Sequence, residues 1–115
     1  MKLVDVNKNL VIASKVKTAD NFFLRLKGLI GSKKLEDNEC LVIKPCSSIH
    51  TIFMSYSIDV IFLDDNWNVL DIKYEVKPWK LALSSKGAKV VVELPGGFIK
   101  RTGLKLDIGD KIDIL

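Results

Sequence analysis

The sequence contains little cysteine, and this shortage argues against a disulfide scaffold. Cys40 and Cys46 are the two cysteines in 115 residues, and their spacing matches no Cys-x-x-Cys metal or redox pattern. If the segment between them is extended, their Cα atoms lie roughly 20 Å apart, whereas a disulfide requires about 6 Å. We therefore predict two reduced thiols.

Long apolar runs are missing as well. No run approaches the ~20 residues that a membrane-spanning helix needs. Asp5 stands where a signal peptide requires apolar side chains. These two absences predict a cytoplasmic protein that has no membrane partner.

Neither sign of charge dominates the chain. Lysine and arginine number 18 against 14 acidic residues, which gives a net charge of +4. Because the lysines are interspersed with acids, the pattern favours a solvated surface, and we do not expect a nucleic-acid partner. The alternative is a nucleic-acid or interaction surface in which Trp67 and Trp79 stack on bases.

Length and composition favour one globular domain over residues 1–115. The hydrophobic share of 48% and the charged share of 28% exclude a disordered chain, a collagen and a coiled coil. A chain of this size buries roughly two thirds of its unfolded surface. It can therefore form one core without a disulfide or a metal.

Alternating apolar residues and turn signals predict a chain dominated by strands. Single strands are expected at 40–44 and 90–94, the second ending at the turn Pro95-Gly96-Gly97. Three hairpins are expected. They pair residues 3–6 with 10–13, 58–63 with 67–74, and 106–108 with 112–114.

One segment has a helical period. Apolar residues recur at intervals of three, four and seven from Phe22 to Ile30, which predicts an amphipathic helix over about 19–30. The resulting fold class is mainly β, bordering on α+β. We predict a single-domain antiparallel sheet, barrel-like or sandwich-like, that is covered by this one helix.

Chemically versatile side chains concentrate between residues 46 and 59. Cys46, His50 and Met54 stand at intervals of four, and their thiolate, imidazole and thioether suit a soft metal ion if a tight loop brings them together. Alternatively, Cys46 is a nucleophile, His50 its base and Asp59 the residue that orients the imidazole. A third interpretation is structural, with His50 hydrogen-bonded in the core and the two sulfur side chains as apolar fillers.

Two acidic residues interrupt apolar strands, Asp59 and Glu93. A carboxylate drawn into a core needs a partner, because an unpaired buried charge costs several kcal/mol. Arg25 is the expected partner of one acid and His50 of the other. If both acids point inward, they line one polar cavity with His50. The alternative is that Glu93 points into water.

Several motifs recur here in a combination that is specific. They are Arg25 with Gly28-Leu29, Cys46, Ile49-His50-Thr51, Met54, the run from Ile58 to Asp64, the run from Val92 to Gly97, and Gly109-Asp110. In this combination the chain resembles the family known as domain of unknown function 192. The resemblance implies a small, mainly β protein of bacteria and archaea, with no established activity.

These observations lead to a functional hypothesis without a cofactor. We expect a ligand- or partner-binding β domain whose polar pocket is formed by His50, Asp59 and Glu93. Its partner is a small molecule or a protein. The further expected site residues are Arg25, Cys46 and Met54. The alternative is an enzyme or a soft-metal site that uses Cys46 and His50.

Overall fold

The computed structural model describes residues 1–21, 34–52, 54–80 and 82–115. Within these ranges the secondary structure consists of short strands and one helix of five residues. The elements are β1 (Leu3–Asp5), β2 (Leu10–Ala13), β3 (Lys15–Ala19), β4 (Glu39–Ile43), β5 (Ser48–Ile49), β6 (Ile58–Leu63), β7 (Val69–Val76), β8 (Leu83–Ser84), β9 (Val90–Pro95), α1 (Phe98–Thr102) and β10 (Ile112–Ile114).

The strands form a five-stranded, a three-stranded and a two-stranded sheet. Their orders are β3-β4-β9-β6-β7, β10-β1-β2 and β5-β8. All neighbours are antiparallel except β3 and β4, which are parallel. The mainly β prediction is confirmed, and the described strands are sandwich-like and do not close into a barrel. The predicted helix lies outside the described residues from residue 22 onwards. Ala19 ends β3, and Asp20 and Asn21 belong to neither a helix nor a strand.

Two hydrophobic cores cover the opposite faces of the five-stranded sheet. Side chains alternate along a strand, so odd-numbered residues of β6 and even-numbered residues of β9 face the first core. The other residues of these two strands face the second core. Both strands are buried along their whole length, because both of their faces are covered.

Each core recruits elements from outside the sheet. Phe98 and Ile99 of α1 and Ile112 of β10 close the first core. Ile49 and Met54, from the segment between β4 and β6, close the second. The segment that carries the candidate chemistry is therefore packed against the second core.

Two of the predicted hairpins are confirmed, and the third is wrong. β1 pairs with β2 and β6 pairs with β7, both antiparallel. β10, however, pairs with β1 near the start of the chain, and the Gly109 amide donates to the Val69 carbonyl oxygen at 2.8 Å. The strand pair β1–β10 joins the two ends of the chain, which local turn signals do not reveal.

The pairing of β10 predicts different consequences for two neighbouring isoleucines. Ile112 is buried in the first core, whereas Ile108 is exposed. Ile112→Ala is expected to lower the free energy of unfolding by about 2–5 kcal/mol, and Ile108→Ala by about 0.5 kcal/mol or less. Denaturant unfolding measures both values, and equal losses would contradict this placement of the C-terminal strand.

Candidate functional site

Asp59 lies in β6 and points towards the first core. Its side chain is 0% exposed. Oδ1 accepts hydrogen bonds from the Glu75 amide at 2.8 Å and the Gly97 amide at 2.9 Å, and Oδ2 accepts one from the Ile99 amide at 3.0 Å. Both oxygens of this carboxylate are therefore hydrogen-bonded to backbone amides. Its role in the described structure is to join β6 to β7 and to the start of α1.

The Glu75 amide reaches Asp59 through a β-bulge. Ile58 pairs with Val76 and Val60 pairs with Lys73, so β7 has one more residue than β6 in this interval. Glu75 has a left-handed backbone with φ 49°. Such a bulge bends the strand and redirects side chains locally.

Glycines allow the turn before α1 to approach Asp59. A Cβ at Gly96 would lie 2.6 Å from the Ser57 carbonyl oxygen, and Gly97 has φ 78°. Neither position accommodates a larger residue without strain. The turn Pro95-Gly96-Gly97 therefore places the first amides of α1 where Asp59 caps them.

Glu93 lies in β9 and faces the second core. Its cross-strand partners are Leu41 and Val60, and both belong to that core. The side chain is 2% exposed, and Oε2 has no hydrogen-bond partner among the described residues. Burial raises the pKa of Glu93 to about 8. At neutral pH the carboxyl is therefore mostly protonated.

The two strand acids do not share a cavity. Asp59 pairs with Leu94 in the antiparallel register of β6 and β9, so its side chain is on the face opposite to Glu93. The structure instead brings Glu93 near Tyr56, whose pKa is raised by burial and then by the charge of Glu93. The sequence analysis did not identify Tyr56, because nothing local links it to β9.

His50 follows β5 and is half-buried. Its Nδ1 atom is buried and has no hydrogen-bond partner among the described residues. The preceding residue, Ile49, packs in the second core. His50 therefore offers one unused polar atom next to the core that contains Glu93.

Thr51 fixes the backbone beside His50. It is fully buried, and its amide and carbonyl bond to Lys80 and Trp79 at 3.0 and 2.8 Å. Its Oγ1 donates to the Lys77 carbonyl at 2.8 Å and accepts from the Lys80 amide at 2.9 Å. Four hydrogen bonds thus attach the turn at 77–80 to Thr51. The sequence analysis missed this role, because a lone threonine between strands carries no specific signal.

The two sulfur residues of the candidate segment also belong to the second core. Met54 is buried there, and Cys46 packs against it. The Cys46 thiol donates to the Ser48 carbonyl at 3.2 Å. Among the described residues, no group of three or more His, Cys, Asp or Glu could hold a metal ion. Arg25, the expected partner of an acid, lies outside the described residues.

Neither cysteine forms a disulfide among the described residues, which agrees with the two reduced thiols that the sequence predicts. Cys40 is buried in the first core, and burial raises its pKa to about 12. A thiol in this state is a poor nucleophile and packs as a small apolar group.

Asp5 is a third buried acid, and the sequence analysis did not identify it as one. Its Oδ1 accepts from the Lys8 amide at 3.1 Å. Its Oδ2 is buried and has no hydrogen-bond partner among the described residues. Burial and the neighbouring Asp110 carboxyl raise the pKa of Asp5, while Asp5 and Lys8 lower that of Asp110 to about 2. Lys8 also forms ion pairs with Asp107 and Asp110 at 2.6 and 2.7 Å. This cluster connects β1 with the turn before β10.

The fold and these contacts define a small, mainly β domain in which a buried acid, Glu93, and the sulfur residues Cys46 and Met54 belong to the same core. No helix among the described residues is long and apolar enough to cross a bilayer.

The chain belongs to the DUF192 family, described as "Uncharacterized ACR", whose family model matches residues 3–114. This membership confirms the resemblance identified from its motifs.

Relatives of known sequence are archaeal proteins named UPF0127. One from Thermococcus sibiricus is 41% identical, and the match covers 96% of this chain and 73% of the relative. One from Pyrococcus horikoshii is 36% identical over 96% of both chains. A solved structure of a protein of unknown function from Novosphingobium aromaticivorans has a TM-score of 0.80 and 23% identity, covering 98% of this chain and 82% of that one.

The hydrogen bonds of Asp59 predict a large effect on stability. Asp59→Ala leaves three backbone amides without their acceptor, and a buried unsatisfied group costs about 1–3 kcal/mol. We expect the free energy of unfolding to fall by at least about 3 kcal/mol. The exposed Asp65→Ala variant serves as the control, with a change of about 0.5 kcal/mol or less. Similar unfolding midpoints for the two variants would contradict the role of Asp59.

The raised pKa of Glu93 predicts a dependence of stability on pH. The ordinary value of 4.5 applies to the unfolded chain and about 8 to the folded one. Between these values the folded state retains a proton that the unfolded state has lost. The contribution of Glu93 to stability is therefore greatest below pH 4.5 and falls up to pH 8, with a slope of about 1.4 kcal/mol per pH unit.

Denaturant unfolding of Glu93→Gln between these pH values tests this dependence. In Glu93→Gln the free energy of unfolding should lose the part of its pH slope that Glu93 supplies. Glu36→Gln, at an exposed position, should keep the full slope. A slope for Glu93→Gln equal to that of the unmodified protein would indicate that Glu93 is ionised and paired in the folded state, as the expected pairing with Arg25 or His50 requires.

Proposed function

We propose that this protein is a ligand-binding domain whose site lies at the second core, with Glu93 as its principal polar group. One observation carries the proposal. The Glu93 carboxyl is buried among apolar side chains, and its Oε2 atom has no hydrogen-bond partner among the described residues. A strongly perturbed acid of this kind is typical of functional sites.

The other buried acid of the five-stranded sheet supports this choice by contrast. Both carboxylate oxygens of Asp59 accept hydrogen bonds from backbone amides. The position of Asp59 is therefore explained by the fold alone. An unpartnered oxygen at Glu93 costs about 1–3 kcal/mol, and the hydrogen-bonding group of a ligand would recover that energy.

The chemistry of the site suggests the class of ligand. A carboxyl whose pKa is about 8 is a hydrogen-bond donor at neutral pH. Leu41, Val60 and Met54 supply an apolar environment. We therefore propose a small ligand that has an apolar body and a neutral carbonyl acceptor, with its binding weakening as Glu93 ionises.

The candidate segment completes the proposed site. His50 has an unpartnered Nδ1 atom, and Cys46 and Met54 pack with the same core. Asp59 supports the site from the opposite face of the sheet and does not contact the ligand in this proposal. Two cysteines that form no disulfide among the described residues also support a cytoplasmic location.

The alternative of an enzyme or a soft-metal site at Cys46 and His50 stays a prediction. The contact that the structure describes for the Cys46 thiol is with the Ser48 carbonyl. The described residues offer no group of metal-binding side chains. The ligand-binding proposal is therefore the one with support from specific contacts.

Nuclear magnetic resonance with three matched probes tests the proposal. N-butylacetamide, butylammonium and valerate share a butyl chain and differ in their polar group. N-butylacetamide should shift the amide signals of Leu41, Val60 and Glu93 more than butylammonium or valerate does. The shifts that it causes should be smaller above pH 8, where Glu93 is ionised. Glu93→Leu should abolish these shifts, whereas Glu36→Leu should preserve them. Unmoved signals with all three probes would contradict the proposal.

A further inference from the structure

A second candidate site lies on the outer side of β7, which is an edge strand of the five-stranded sheet. A cleft of about 630 Å³ is lined by β7, the following turn, β8 and α1. Four lysines contribute to its lining, namely Lys73, Lys77, Lys80 and Lys100. Although they are dispersed in the sequence, the fold gathers them around one concavity.

The positive charge of the cleft is only partly compensated. Lys73 forms an ion pair with Asp71 at 3.2 Å, and Glu75 is the one carboxylate in the lining. Among the described residues, no ion pair holds Lys77, Lys80 or Lys100. Three ammonium groups therefore remain available to an anionic ligand.

Two exposed aromatic residues accompany these lysines. Tyr74 lines the cleft and is 42% exposed, and Trp79, between Lys77 and Lys80 in the sequence, is 62% exposed. The Lys100 ammonium is 5.0 Å from the centre of the Tyr74 ring. Large aromatic side chains in contact with water are candidates for binding surfaces.

Trp79 is held in position by its backbone. Its φ of 68° is left-handed, a conformation that costs a bulky residue free energy. Its amide donates to the Thr51 carbonyl at 2.8 Å, and Thr51 also forms hydrogen bonds with Lys77 and Lys80. The exposed indole is thus presented on a rigid turn, which reduces the entropy lost on binding.

We propose that this cleft binds single-stranded nucleic acid. Phosphates lie against Lys77, Lys80 and Lys100, and an unpaired base stacks on Trp79. Ammonium groups next to exposed aromatic rings are the combination that single-stranded binding uses, since every base has a face that stacks.

The geometry favours a single strand over other polyanions. The helix beside the cleft, α1, has five residues and therefore offers little more than one turn to the major groove of a duplex. The charges line a concavity, whereas a membrane surface is best met by a protruding face. An acidic peptide would satisfy the lysines but would not use the exposed surface of the Trp79 indole. This inference is independent of the ligand site at Glu93.

A fluorescence anisotropy titration with labelled oligothymidylate of about 12 nucleotides tests the inference. Lys77→Gln, Lys80→Gln and Lys100→Gln are combined in one variant. The matched control combines Lys2→Gln, Lys86→Gln and Lys105→Gln, which are exposed and outside the cleft lining, so the net charge is the same. The cleft variant should bind at least about tenfold more weakly than the control at low salt.

Two further measurements separate the proposed complex from general attraction of opposite charges. The slope of log affinity against log salt should decrease by about 0.7 for each lysine that contacts a phosphate, hence by about 2 in the cleft variant. Trp79→Ala should weaken binding by about tenfold without changing that slope.

Absence of oligonucleotide binding at about 50 mM salt would overturn the inference, as would equal losses in the two triple variants. Equal binding of poly-glutamate or of vesicles rich in phosphatidylserine would also overturn it, in favour of a peptide or a membrane. Because none of the altered residues faces the second core, these results leave the Glu93 proposal unaffected.

Discussion

The fold depends on one constraint: every carboxyl group buried in the central sheet must be hydrogen-bonded or neutral. Asp59 meets it by accepting hydrogen bonds from three backbone amides. These hydrogen bonds connect β6 with the bulge of β7 and with α1. Because α1 carries Lys100 and the bulge adjoins Lys73, the same carboxylate sets the relative positions of cleft residues. Glu93 meets the constraint differently, through burial that raises its pKa to about 8.

The two faces of the sheet consequently have different roles. The first core joins the two ends of the chain through β1 and β10 and is closed by α1. The second core packs against Cys46, Ile49, Met54 and Tyr56 and contains Glu93, whose Oε2 has no hydrogen-bond partner among the described residues. Thr51 links the candidate segment to the turn at 77–80. The same threonine therefore holds both the segment of the proposed ligand site and the turn that carries two lysines of the cleft.

Much of the fold is predictable from the sequence, because apolar runs such as 58–63 and 90–94 are long enough to identify buried central strands. The alternation within each strand also assigns Glu93 to the face of Val91. Sequence alone does not provide the register between β6 and β9, in which Asp59 pairs with Leu94. That register separates the two acids, which the sequence analysis had expected to share a cavity. The lysine cleft was missed for a similar reason. Lys77 and Lys100 are far apart in the sequence and line one cleft only in the folded chain, where Asp59 caps the turn before α1.

The most direct test of this account is a carbon-13 titration of the Glu93 side-chain carboxyl in the folded protein. We expect the Glu93 carboxyl to titrate with a midpoint of about 8, because burial among apolar residues raises its pKa. A midpoint at or below the ordinary value of 4.5 would mean that Glu93 is ionised and paired in the folded state, and would contradict the account.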